Sequence, residues 1–311
     1  EYTKTRPNVE VNYQSIGSGG GIRQFMDRTV DFGATDGPMS DSQITAVRGN
    51  VHHIPTVLGA VVPVYEAPGV TARLKFTADV LAGIFLGQIT RWNDSRIAAA
   101  NAGVALPDQD IVVVHRSDGS GTTFIFTDYL SKVSPEWLRR VGRGTAVNWP
   151  VGLGGRGNEG VASTVRRTPG SIGYVELVYA VQNRIPYGLV KNRAGSFVEA
   201  TLASTTAAAA SAQFAPDTDF RVSITDAAGA DAYPIASFTW ILIGKEMPNL
   251  ANARAMLEWL WWAAHDGQRF ATDLGYAPLP QPVVRLIEAR LKTVTVGGRA
   301  VLPADFGGAR R

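Results

Sequence analysis

The stretch that most constrains this chain is a strand that passes into a helix through a glycine turn. Residues 113–130 read VVHRSDGSGTTFIFTDYL. Ile111–Val114 has the apolar, β-branched run of a buried strand, and Phe124–Leu130 reads as the body of a helix. Between them Arg116, Ser117, Asp118, Gly119, Ser120, Gly121 and Thr122 are small or polar. Such a junction belongs to an α/β layer fold. It leaves the first helical N–H groups unpaired, with the positive end of the helix dipole behind them. That is a ready-made anion site. The hydroxyls of Ser120 and Thr122 add donors, and Arg116 adds a planar fork suited to two oxygens of one oxyanion. No Gly-Lys-Ser/Thr follows the glycines, so the Walker nucleotide loop is excluded. Read alone, SDGSGT is also compatible with an ordinary strand-to-helix turn capped by Ser120.

The same grammar occurs earlier in the chain. Alternation predicts a strand over Val9–Tyr13, followed by Ser15, Ile16, Gly17, Ser18, Gly19, Gly20, Gly21 and a helical run over Ile22–Arg28. Val30–Ala34 then reads as a short buried strand leading to Asp36. A carboxylate beside two anion-suited turns repels an anion, so Asp36 either points away or meets a ligand bearing a proton that it accepts. Val151–Gly160, VGLGGRGNEG, is a third glycine-rich turn before a helix. By composition it too suits a phosphate.

Several segments, in order and spacing, carry a family resemblance from about Val11 to Pro280: YQSIGSGGGIRQFMDRTVDFGATDGPMSD, FLGQITRWND, VVVHRSDGSGTTFIFTDYLSKV, WPVGLGGRGNEGVASTV and PGSIGYVE. The chain resembles the phosphate-binding receptors of bacterial high-affinity phosphate ABC importers. The resemblance implies a two-domain α/β periplasmic binding protein fold of type II, with a ligand cleft between domains and a two-stranded hinge. Domain I would comprise residues 1–64 and 234–311, and domain II residues 65–233. The implied ligand is inorganic phosphate, held by Ser18 and Asp36 from the first domain and by Arg116, Ser120, Gly121 and Thr122 from the second. Asp118 would pair with Arg116 and hold its fork, Gly17 and Gly19 would support the first turn, and the third glycine turn would be structural. The implied partners are ABC permease subunits in the inner membrane, and the implied setting is periplasmic, as a monomer without cofactor or metal. The family also opens with a strand and a Gly-Ala-Gly-Ala-Thr-Phe-Pro turn that this sequence lacks. The expectation is that a signal sequence and a short mature stretch lie upstream of Glu1. The rival reading is a secreted phosphatase-like protein, or another oxyanion-binding protein of the same fold.

The rest of the chain agrees with two cored domains. It has 311 residues, 45% hydrophobic and 18% charged, which is enough for both. A formal charge of +3, with no basic run interleaved with aromatics, gives no support for nucleic-acid binding. The absence of cysteine excludes disulfides and thiolate metal sites. The four histidines, at 52, 53, 115 and 265, lack metal spacing, and the turn serines have no evident base to activate them. No signal peptide or membrane-length apolar run is visible, so the chain as given is expected to be soluble. Glu1–Asn8 reads as the tail of a helix ended by Pro7. Pro55–Tyr65 and Tyr233–Gly244 read as buried strands that cross between domains, and Ser171–Leu177 as a further strand. Phe76–Leu86 reads as a helix capped by Thr77, Trp92 as a packed aromatic, Asn101–Asp110 as a loop and Ala203–Ala212 as a helix. Arg254–Asp273 reads as a helix whose adjacent Trp261 and Trp262 cannot both face the core.

Overall fold

The computed structural model describes residues 1–210, 212–215 and 219–307. One six-stranded sheet organises it. In chain order its strands are β1 (Gly33–Thr35), β2 (His52–Tyr65), β3 (Val112–Arg116), β4 (Leu153–Gly155), β5 (Ser171–Glu176) and β6 (Ala236–Ile243). Their spatial order is β1, β6, β2, β5, β3, β4.

The fourteen-residue β2 is the spine. It is apolar and mostly buried, as a strand covered on both faces must be. Residues 52–60 pair antiparallel with β6, with a register shift between Pro55 and Val57, and residues 61–65 pair antiparallel with β5. One strand is thus shared by two lobes. Beyond β5 the sheet turns parallel, β3 lying between β5 and β4.

The apolar side chains divide in the same way. One cluster gathers Val61, Val62, Val64, Tyr65, Val113, Val114, Phe126, Ile172 and Tyr174. The other gathers Ile54, Leu58, Phe238, Trp240 and Ile243 with Leu257, Leu260 and Ile287. Ala208, Ala209, Phe220, Ile224, Ala227 and Ala232 pack in this second cluster, although the expected division puts them in domain II. These six residues therefore pack with the first lobe.

Three helices position the site: α1 (Gly17–Met26), α2 (Gly121–Val133) and α3 (Gly157–Arg167). Here the structure departs from the sequence pattern in three places. Val9–Tyr13 is not a strand: residues 9–16 have no regular structure, and Tyr13 is 63% exposed. Alternation alone makes no strand without a partner edge. α1 starts at Gly17 rather than Ile22, so the glycines are its first turn. β1 covers only Gly33–Thr35, because Val30 and Asp31 stay at the surface.

Elsewhere the outcomes are simpler. Tyr2–Thr5 is a short helix. Thr77 caps the helix Ala78–Phe85, and Trp92 is fully buried, its indole N–H donating to the Gly170 carbonyl at 2.9 Å. The alanine-rich helix runs Leu202–Ala210; Ser211, within the predicted span, lies outside the described residues, as do residues 308–311 of the predicted first domain. The tryptophan helix is Leu250–Ala264, followed by 3-10 turns at Asp266–Phe270 and Thr272–Leu274. Its indoles are half-buried: Trp259 packs on Phe32, Trp261 on Phe306 and Trp262 on Tyr2. Among the described residues no helix is long and apolar enough to cross a membrane.

Candidate functional site

β3 delivers Arg116 to the base of a cleft between the lobes. Its backbone N–H donates to the Tyr174 hydroxyl on β5 at 3.1 Å, and its guanidinium is nearly buried. One edge of the fork is committed: Nε donates to Asp118 Oδ1 at 2.8 Å and Nη2 to Oδ2 at 2.6 Å. Asp118 Oδ1 also accepts the Gly157 N–H at the start of α3, at 3.0 Å. The guanidinium holds the Asp118 carboxyl down at about 2, so the pair is ionised at neutral pH. Nη1 lies 3.4 Å from Thr122 Oγ1, which also accepts from Asn158 Nδ2 at 3.3 Å. The guanidinium is thus oriented by Asp118 and Thr122, each of which is held in turn from α3.

The opposite wall comes from the first lobe. Ser18, in the first turn of α1, accepts the Asp36 N–H at 3.0 Å. Asp36 follows β1, and its Oδ1 accepts from the Thr239 hydroxyl on β6 at 2.7 Å. Burial raises the Asp36 carboxyl above its ordinary value; the Thr239 hydrogen bond and the Arg116 charge pull it partly back. A carboxyl so placed accepts a proton more readily than an exposed one.

The two glycine turns touch each other. The Gly19 N–H donates to the Gly119 carbonyl at 3.0 Å. A Cβ on Gly17, where φ is +73°, would lie 2.6 Å from that carbonyl oxygen, and a Cβ on Gly121 would lie 2.3 Å from Ser18 Oγ and 2.4 Å from Asp36 Oδ2. Glycine is required here because backbone meets backbone across the lobes.

A cleft of about 510 Å³ results, bordered by Gly17, Ser18, Asp36, Arg116, Asp118, Gly121 and Thr122. Of the residues singled out from sequence, Gly19 and Ser120 are not on its lining. Gly19 holds the turns together. Ser120 is fully buried and caps α2, its Oγ accepting the Thr123 N–H at 3.1 Å. The capping role is what the structure displays for this serine. The third glycine turn braces Asp118, and its Arg156, Gly157 and Asn158 border the cleft as well.

A family model described as the PBP superfamily domain matches residues 1–266. The phosphate-binding protein PstS of Xylella fastidiosa strain Temecula1 is 48% identical over 281 residues, spanning 90% of this chain and 77% of that protein. PstS of Pasteurella multocida is 46% identical over 293 residues, 94% of this chain and 84% of that protein. The chain belongs to this family of phosphate-binding proteins. The same fold is seen in the phosphate-binding protein of Stenotrophomonas maltophilia, with a TM-score of 0.72 at 17% identity over 92% of this chain and 90% of that one.

As in other α/β folds, charged residues of the cleft stand at the carboxyl ends of strands: Asp36 after β1, Arg116 at the end of β3 and Glu176 at the end of β5. Among the cleft residues to which the sequence reading gave no role are Thr239, Asn158, Glu176 and Tyr276. Glu176 had a signal, since it is the one charge closing the apolar run Ser171–Val175. Tyr276 and Thr239 had none, because only the folded register of β6 and of the segment after Gly275 brings them inward. His115 faces elsewhere: its ring stacks on Trp149 at 4.9 Å, and its Nδ1 is 3.0 Å from the Arg116 carbonyl. Among the described residues no group of three or more His, Cys, Asp or Glu side chains is placed to hold a metal.

Proposed function

We propose that this chain binds inorganic phosphate in the cleft between its lobes and passes it to the permease of an ABC importer on the outer side of the cytoplasmic membrane. The observation that carries the reading is the pairing of a braced guanidinium at Arg116 with a proton-accepting carboxyl at Asp36 across one small cleft. Arg116 supplies charge and geometry for an oxyanion. Asp36 supplies selectivity, because phosphate near neutral pH retains a proton to donate whereas sulfate has none and meets unrelieved repulsion. The ligand set proposed is Ser18, Asp36, Arg116, Gly121 and Thr122, with Asp118 as the brace; Ser120 caps α2, and whether its hydroxyl hydrogen also reaches the ligand is what the Ser120→Ala variant reads. Closure is proposed to bend the molecule where β2 changes partner, with residues 233–236 as the second crossing; Val61 N–H donates to the Ile235 carbonyl there at 2.8 Å.

The ester-hydrolase alternative gains no observation in its favour. Ser18 and Ser120 each accept a backbone N–H, and neither is paired with a base among the described residues.

Titration of phosphate-stripped protein with phosphate and with sulfate tests the reading. Phosphate is expected to bind and sulfate to bind far more weakly. Asp36→Asn is expected to narrow that gap more than it weakens phosphate, because an amide donates to either anion. Equal affinities for both anions in the parent protein would remove the role assigned to Asp36.

A further inference from the structure

The cleft holds a second acid. Glu176 is the last residue of β5, in register with Val61 of the shared strand, and borders the same cavity as Asp36. Its Oε2 accepts the Tyr276 hydroxyl at 2.7 Å. Tyr276 comes from the first lobe, next to Ala277, which bridges to Leu58 of β2. The two carboxyls therefore stand on opposite lobes, each holding a hydroxyl donor from the first. Burial, reinforced by the Asp36 charge, pushes Glu176 up to about 7, while Tyr276 and Arg116 pull down and Glu159 on α3 pushes up. Glu159 itself accepts from the Tyr179 hydroxyl at 3.1 Å. Arg156 also borders the cleft.

We propose that Glu176 couples anion binding in this cleft to the uptake of a proton, its neutral acid then facing the bound oxyanion as a donor. This rests on the phosphate reading. The argument is one of charge. An oxyanion at Arg116 brings negative charge into a space already bordered by two carboxyls, and the guanidinium is committed on one edge to Asp118. Repulsion falls when Glu176 carries a proton. In that state Oε2 still accepts from Tyr276, and the acid proton becomes a donor within the cleft.

The sign follows. A bound anion raises the proton affinity of Glu176, so binding is favoured below its free value and weakens as pH rises through the interval up to its bound value. One linked proton changes affinity by up to about tenfold per pH unit. The ionisation of phosphate itself is common to parent and variants, so differences between them isolate Glu176.

The test is calorimetric titration of stripped protein with inorganic phosphate from about pH 6 to about pH 9, in two buffers of unlike ionisation heat. The parent is expected to take up more protons than Glu176→Gln near pH 7 to 8, with affinities diverging by up to about tenfold per pH unit as pH rises. Tyr276→Phe removes a donor that favours the charged carboxylate, so its extra uptake is expected to move to higher pH; this variant carries the test if Glu176→Gln does not fold. Equal proton counts in parent and variants, with phosphate still bound, would overturn the inference and leave the phosphate reading standing. No phosphate binding by the parent at any pH would overturn both.

Discussion

The two glycine turns look alike in sequence and are built differently. The second-lobe turn, Arg116 to Thr123, follows a strand inside the sheet, is capped by Ser120, has the Arg116 backbone N–H held from β5, and has the partner of its charged group, Asp118, braced from α3. The first-lobe turn follows residues 9–16, which have no regular structure, and the residue before α1, Ile16, gives the helix no side-chain cap. Ile16 is 40% exposed, and the turn borders a groove of about 570 Å³ lined by residues 9–14, 29–34 and parts of the helix at Asn252–Trp259. Its ordering contacts run to Gly119 and to Asp36. One wall is held by its own lobe, whereas the other is held in part by the lobe it faces. In the proposed reading, the braced wall, the rigid one, carries ligand charge, and the less braced, adaptable wall carries selectivity and closure.

The largest effect expected from this asymmetry is at Arg116. Arg116→Ala removes charge-assisted hydrogen bonds to the ligand and leaves Asp118 without its partner, at a cost of about 2 to 5 kcal/mol in phosphate binding. Arg116→Lys should recover only part, because an ammonium cannot span two oxygens. Calorimetry on both variants decides it; a lysine variant that binds like the parent would show that the fork is not what holds the anion.

Gly121→Ala probes the contact between the walls. The added methyl is compatible with the first turn of a helix, but it would sit against Ser18 and Asp36 of the other lobe. Overpacking of this kind costs about 1 to 3 kcal/mol, and the closure proposed above is expected to be what brings the turns to the contact described here. Phosphate affinity should fall by that amount while the melting temperature of the stripped protein stays level. A loss of stability equal to the loss of affinity would show that the turns are pressed together without ligand as well.

The brace on the rigid wall has a pH signature. Asp118 in the folded protein titrates at about 2, below its ordinary value of 3.8, because of Arg116. Its contribution is therefore complete above about pH 4 and is lost as pH falls toward 2. Asp118→Asn should remove at most about 2 kcal/mol of stability at neutral pH and flatten the acid limb of the unfolding curve. Parallel acid limbs in parent and variant would mean that the pair does not orient Arg116 at equilibrium.

Much of this was legible in the sequence, and the division is physical. β2, β3 and the body of α2 announced themselves because apolar runs and turn residues are local signals. Arg116, Asp118 and Asp36 were legible because charge beside a glycine turn needs a reason. The strand expected at Val9–Tyr13 failed because pairing is not local: alternation specifies a face and not the neighbour that completes it. The glycines were read as room for an anion, yet Gly17, Gly19 and Gly121 answer first to the opposing turn, a contact spanning about a hundred residues of chain. Ser120 was read both as cap and as ligand donor, and its geometry displays the cap.

The smallest expected effect separates those two serines. Ser120→Ala deletes the N-cap of α2, so it should cost about 1 kcal/mol of stability, seen as a lower melting temperature with or without ligand. Ser18 serves no helix end: its Oγ accepts the Asp36 N–H across the first lobe, beside the cleft. Ser18→Ala leaves that N–H without its partner, at a net cost of about 0.5 to 1.5 kcal/mol. The cost should fall on phosphate binding, because Asp36 loses its fixed position while the core behind it, around Phe238 and Trp240, is untouched. Measured side by side, the pair of variants is expected to exchange signatures, Ser120→Ala moving stability and Ser18→Ala moving affinity. If Ser120→Ala also weakens phosphate binding by a similar amount, its hydroxyl hydrogen reaches the ligand while its oxygen caps the helix, and the rigid wall contributes one more donor. If Ser18→Ala changes only stability, the first turn is scaffold alone, and the selectivity assigned to the adaptable wall rests on Asp36 without help.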